Sequence, residues 1–112
     1  MLQNAIRLGV KIALGTDQHP FEPNDGTTAT VAEAELYVKA GMTTLQALRT
    51  AMVNPAKMID MDKDLGGLQA GKYADIIAVS ADPLQDIRAL RTIGFVMKGG
   101  TVVRNDWAPK AD

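Results

Sequence analysis

At 112 residues the chain has the length of one domain, long enough to bury a modest core and too short for two full ones. Hydrophobic residues make up 46% of it and charged residues 22%, the balance of a folding chain and not of a disordered one. Its formal net charge of −1 comes from 12 basic and 13 acidic residues spread along the sequence, so there is no basic stripe for a phosphate backbone and nucleic acid is not an expected partner.

Gln3 to Leu8 reads as the end of a helix that Gly9 breaks, before the apolar run Val10-Lys11-Ile12-Ala13-Leu14, which suits a buried strand closed by Gly15. Directly behind that run stand Thr16, Asp17, Gln18 and His19, then Pro20 to Gly26, whose Pro, Asn, Asp and Gly content predicts an irregular loop. Thr30 with Glu33 matches a capping box, and Ala34, Leu36, Val38 and Ala40 carry the predicted helix to Gly41. Thr43 with Gln46 repeats the device for a helix whose apolar face is Leu45, Leu48 and Met52 with Ala47 and Ala51. Asn54-Pro55 reads as N-cap and first-turn proline of a further short helix through Ile59.

Beyond Gly71 the period changes. Ala74 to Val79 is a compact β-rich run, Asp82-Pro83 with Gln85 predicts a helix to about Leu90, and Ile93 to Met97 with Thr101 to Arg104 predicts a hairpin turning at Lys98-Gly99-Gly100. The switch near Gly66 from helix to strand marks the expected internal boundary, with segments 1–65 and 66–112 on either side.

Several patterns invite a functional reading. Gly66 to Lys72 nearly matches a phosphate-binding loop, but Tyr73 stands where Ser or Thr is needed and a strand follows where a helix should start, so its glycines are read as turn residues. Asp60, Asp62 and Asp64 alternate like calcium ligands, yet Leu65 and Gly71 occupy the positions that need Gly and Glu, which leaves a solvated connector. With no cysteine and a single His, any metal would need His and carboxylate ligands, and no serine triad or His pair can be assembled. His19 has the chemistry of a metal ligand or a general base, but a lone His in a polar loop is more often simply solvent-exposed or hydrogen-bonded. Asp17 is more informative, because a carboxylate just after a buried strand sits where α/β folds gather functional groups, although an Asx turn would place one there too.

Four segments in order resemble the amidohydrolase superfamily, in particular its imidazolonepropionase-like and Xaa-Pro dipeptidase-like group. Gly9 to Asp17 resembles the eighth barrel strand with its Gly-Thr-Asp ending; Ala40 to Ala56 resembles the helices that follow. Leu65 to Val79 with Asp82-Pro83-Leu84 resembles the return into the small β-sandwich, with Asp75 as a structural position, and Val96 to Val103 resembles the closing hairpin.

The resemblance implies an α/β fold comprising the last strand and helices of a TIM barrel, residues 1–65, followed by a partial β-sandwich segment, residues 66–112. It implies that Asp17 binds a catalytic divalent metal, zinc, and accepts the proton of the attacking water; His19 lies in the substrate-facing loop and is a candidate substrate contact, although the resemblance assigns it no role. The family's His-x-His pair, its bridging Lys or acid and its later histidines have no counterpart here, and a whole barrel takes roughly 250 residues. The expectation is therefore a C-terminal fragment of a hydrolase of carbon–nitrogen bonds, acting on a dipeptide, other small molecule or cyclic amide, that is inactive and metal-free by itself. It should self-associate or bind the missing N-terminal part of the enzyme. The alternative is a non-catalytic oligomerising or binding module derived from such an enzyme. No apolar run approaches the ~20 residues of a membrane helix, and Met1 to Asn4 lacks signal-peptide character, so a cytoplasmic location is expected.

Overall fold

The computed structural model describes residues 1–17 and 28–109. Helices come first and strands last: α1 Leu2–Arg7, α2 Thr28–Lys39, α3 Thr44–Ala51 and α4 Val53–Met58, then β1 Ile76–Val79, a 3-10 helix Ile87–Arg91, β2 Ile93–Lys98 and β3 Thr101–Asn105. The strands form one antiparallel sheet in the order β1-β2-β3. This is an α/β chain with a small antiparallel sheet.

Helix ends follow local chemistry closely. Thr43 and Gln46 make the full capping box expected of α3, each side chain satisfying the other's backbone N–H. At the end of α2, the Gly41 N–H donates to the Val38 carbonyl and the Met42 N–H to that of Tyr37. With Gly41 at φ +112°, this is the paired arrangement that closes a helix through a left-handed residue. Gly9 ends α1 in the same way. Asp60 does so for α4 at φ +56°, a non-glycine residue in a region that favours glycine.

Three boundaries differ from the sequence expectation. The helix α2 already runs from Thr28, so Thr30 lies inside its first turn and is not its cap. It buries Val31, Ala34 and Tyr37 and leaves Leu36 exposed, because the inward face is set by the spacing of three from Val31. The helix α4 starts at Val53 after Met52, where the break between α3 and α4 falls, and Asn54 does not cap it. The predicted helix from Asp82 is instead a turn. The Asp82 carboxylate accepts the Leu84 N–H and its carbonyl accepts those of Gln85 and Asp86, which bends the chain before Asp86 caps the 3-10 helix through the Arg88 N–H.

The core gathers Ala34, Tyr37, Met42, Ala47 and Leu48 from the helical half and Ile87 from the later half. Further ties join the halves: Glu35 accepts a forked pair of hydrogen bonds from Arg91 at 2.7 and 3.1 Å, and the Thr44 hydroxyl donates to the Leu84 carbonyl at 2.6 Å. The α3 face also differs from expectation, since Leu45 and Met52 are about half exposed while Thr50 is 1% exposed. The Thr50 hydroxyl is accommodated by donating to the Ala47 carbonyl at 2.6 Å.

In the sheet, Gly99 and Gly100 both take positive φ, 54° and 83°, as a two-residue hairpin turn with the right twist requires. Asp75 fastens that turn, accepting from the Gly99 N–H and the Lys98 ammonium, both at 2.7 Å. At Gly94 a side chain would meet the Trp107 ring at 2.5 Å; the indole lies directly on this glycine, beside a register shift in the β1–β2 pairing.

Candidate functional site

The segment from Val10 to Asp17 was expected to open with a strand. It has no regular secondary structure and no strand partner among the described residues. A strand is stable only where a neighbour satisfies its main chain, and here two helices do this instead. The Leu14 N–H donates to the Thr50 carbonyl of α3 at 2.7 Å, and the Asn54 amide of α4 donates to the Ile12 carbonyl at 2.7 Å. Ile12 and Leu14 pack against the core cluster.

Asp17 follows three residues after Leu14. It is exposed and sits at φ +48°, a left-handed conformation that Asp tolerates better than most residues. The packed segment therefore presents its carboxylate at the surface and not within the core. Of the other candidates, His19 and the rest of the loop 18–27 lie outside the described residues.

The bland readings of the remaining motifs acquire partners. Lys72, the lysine of the apparent phosphate loop, donates its ammonium to the carbonyls of Asp62 and Leu65, the latter at 2.9 Å. It thereby staples the connector. Gly66 and Gly71 take positive φ, 81° and 91°, and the next regular element is β1, so these are turn glycines. Asp60, Asp62 and Asp64 are exposed along that connector, and the Asp64 carbonyl accepts the Tyr73 N–H at 2.9 Å. Asp75 is engaged by the Lys98 ammonium and the Gly99 N–H of the hairpin turn.

Charges elsewhere are paired in the same local fashion. The Arg91 guanidinium holds the Glu35 carboxyl below its ordinary range, and Arg88 does so for Asp86. Burial, with the Glu33 carboxylate beside it, pushes the Tyr37 phenol up. A concavity beside β2 includes Arg91, Arg104, Asp106 and Trp107, but Arg104 is bonded to Asp106 and Arg91 to Glu35, so the two cations come with two carboxylates.

No group of three or more His, Cys, Asp or Glu residues that could hold a metal occurs among the described residues. Asp17 offers one hard oxygen donor, and one carboxylate is not a metal site. The described residues alone do not fit a metal, and no step on this chain is routed through one. No helix among them is long and apolar enough to cross a membrane.

A model of the amidohydrolase family matches residues 1–103. The chain belongs to that family. Ochratoxinase from Aspergillus niger is 36% identical over 107 residues, which are 91% of this chain and 21% of the ochratoxinase. Imidazolonepropionase from Shouchella clausii is 33% identical over 102 residues, 88% of this chain and 22% of that protein. A Xaa-Pro dipeptidase solved with methionine bound in its active site superposes with a TM-score of 0.84 at 34% identity, covering 93% of this chain and 25% of that one. This amidohydrolase-family chain thus spans about a quarter or less of the length of these relatives.

Sequence reasoning missed the attachment of Asn54. Its position before Pro55 reads as a helix cap, and nothing in the local pattern distinguishes a side chain turned to its own helix from one turned to Ile12, 42 residues earlier.

Proposed function

We propose that this chain is the C-terminal portion of a metal-dependent hydrolase of carbon–nitrogen bonds and that Asp17 is the active-site carboxylate it supplies. The observation that carries the reading is the unbroken family match over residues 1–103, within which Asp17 ends the segment that Ile12 and Leu14 seat on the core. In this reading residues 1–65 are the last strand and following helices of a TIM barrel, and residues 66–112 are part of a β-sandwich. The segment 10–14 becomes a laddered strand only beside its barrel neighbours.

Asp17 accepts the proton of the attacking water at a carboxylate oxygen and passes it to the leaving amine. His19 contacts substrate from the adjoining loop. In the complete enzyme a divalent metal, zinc in this reading, would be held by Asp17 together with ligands from outside the described residues, and would supply Lewis acidity at the attacking water. The names of the relatives support a dipeptide or cyclic amide as substrate, since one is a Xaa-Pro dipeptidase and another an imidazolonepropionase. By itself the chain is inactive and metal-free, and it functions with the rest of the enzyme.

A second reading, a non-catalytic module that self-associates, is favoured by the apolar side chains left at the surface: Leu36, Met58, Leu68 and Val103 are each more than half exposed. Metal analysis and hydrolysis assays on dipeptides and cyclic amides separate the two. The hydrolase reading expects no turnover from the chain alone, turnover after mixing with an N-terminal barrel segment, and a loss of roughly 10²- to 10⁴-fold in Asp17→Asn. Stoichiometric zinc with turnover in the isolated chain refutes its incompleteness. Stable self-assembly without activity in any mixture favours the module.

A further inference from the structure

We infer that Asn54 is a positioning residue for Asp17, an inference that rests on Asp17 being the active-site carboxylate. The segment 10–17 reaches Asp17 without ladder bonds among the described residues; beyond the Val10 N–H, which closes α1 on the Ala5 carbonyl, two hydrogen bonds fix its main chain, one to α3 and one to α4. Both of the latter come from the junction of α3 and α4. Thr50, in the last turn of α3, offers its carbonyl to Leu14, and Asn54, in the first turn of α4, offers its amide to Ile12. The helix break at Met52, with φ −127° and ψ −71°, lies between these residues, so the junction of α3 and α4 forms a two-point clamp.

The chemistry of position 54 is specific. Ile12 presents a carbonyl, which needs a donor. The Asn carboxamide is a donor that stays neutral, whereas Asp at the same place would face that carbonyl with acceptors only. Three residues of chain separate Leu14 from Asp17, about 10 Å at most, so a loosened clamp displaces the carboxylate directly. A shift of about 1 Å at a reacting group can lower a rate roughly a hundredfold.

The test uses Asn54→Asp, which removes the donor at nearly constant shape, and Asn54→Ala, which removes it without adding charge. In the full chain, amide hydrogen exchange at Leu14 should accelerate roughly tenfold in both variants, while exchange at Leu48 in the core stays unchanged. In the mixture with the N-terminal segment, kcat should fall while KM stays constant. Unchanged Leu14 exchange in both variants overturns the inference. So does an equal acceleration at Leu48, which would make Asn54 a general stabiliser of the core. An Asp17→Asn variant that retains full turnover removes the underlying reading of Asp17, whatever the exchange rates do; accelerated Leu14 exchange with undiminished kcat removes only the role of Asn54.

Discussion

Adding one methyl group at Gly66 should destabilise the chain more than the same change at any neighbouring glycine. Gly66 takes φ +81°, and a Cβ there would lie 2.9 Å from the Ala56 Cβ and 2.9 Å from the Met52 carbonyl oxygen. Neither can retreat cheaply. Ala56 is buried in α4, and the Met52 carbonyl accepts the Ala56 N–H. The left-handed backbone costs an L-residue about 1–2 kcal/mol, and overpacking adds about 1–3 kcal/mol, for a total of about 2–5 kcal/mol out of the ~5–15 kcal/mol typical of a domain. Two controls separate the contributions. Gly71 has φ +91° with open space around it, and Gly67 has ordinary φ with only the Lys72 side chain at 4.0 Å. Urea unfolding followed by circular dichroism should rank Gly66→Ala worst, Gly71→Ala intermediate and Gly67→Ala close to the parent. Coincident midpoints for Gly66→Ala and Gly71→Ala would refute the close approach to α4.

The reverse substitution at the end of α4 should help: Asp60→Gly relieves a non-glycine residue at φ +56° and should raise stability by about 0.5–1 kcal/mol in the same assay. At Asp75, the Lys98 ammonium first and the Gly99 N–H second hold the carboxyl below its ordinary range. Its folded pKa therefore lies below the unfolded one. The stabilisation is fully present above the unfolded value near pH 4 and is lost as pH falls through the folded value, so Asp75→Asn should flatten the acid limb of the stability curve while leaving its slope near neutral pH unchanged. Gly94→Ala should expel the Trp107 ring, since the new Cβ would stand 2.5 Å from it. A red-shifted tryptophan emission with a cost of about 1–2 kcal/mol is expected, and an unchanged emission would contradict the packing.

Legibility in the sequence followed the range of the interactions. The α3 capping box and the β2–β3 hairpin are written in residues close together in the chain, Thr43 with Gln46 and Gly99-Gly100, and both stand as read. The turn role of Gly66 and Gly71 was legible because the flanking elements were. Part of what failed was decided by packing partners far along the chain. The inward face of α2 follows Ala34 and Tyr37 because these meet the core that Ile87 completes, which local periodicity cannot specify. At Asp82 two local signals competed, a helix start and an Asx turn, and the side-chain bond to Leu84 decided for the turn. At the proposed site, the sequence marks Asp17 by its place after an apolar run, whereas the means of holding that run, Thr50 and Asn54, have no local signal.

The same long-range contacts tie the run before Asp17 to the sheet although Leu14 and β1 are about 60 residues apart in sequence. The run Ile12–Leu14 is bound to α3 and α4, and α3 packs on α2. Glu35 on α2 grips Arg91, the Thr44 hydroxyl holds the Leu84 carbonyl, and Ile87 lies in the core between them. Arg91 ends the 3-10 helix, and β2 begins two residues later. These packed and hydrogen-bonded contacts, with the short chain step from the 3-10 helix to β2, connect the Ile12–Leu14 run to the sheet. The weakest joint is the ion pair of Glu35 with Arg91, whose side chain remains 43% exposed and whose charge is therefore screened by solvent. The buried Ile87, at 5% exposure, carries more of the connection, because truncating a buried Ile to Ala typically costs about 2–5 kcal/mol against about 0–1 kcal/mol for a surface pair.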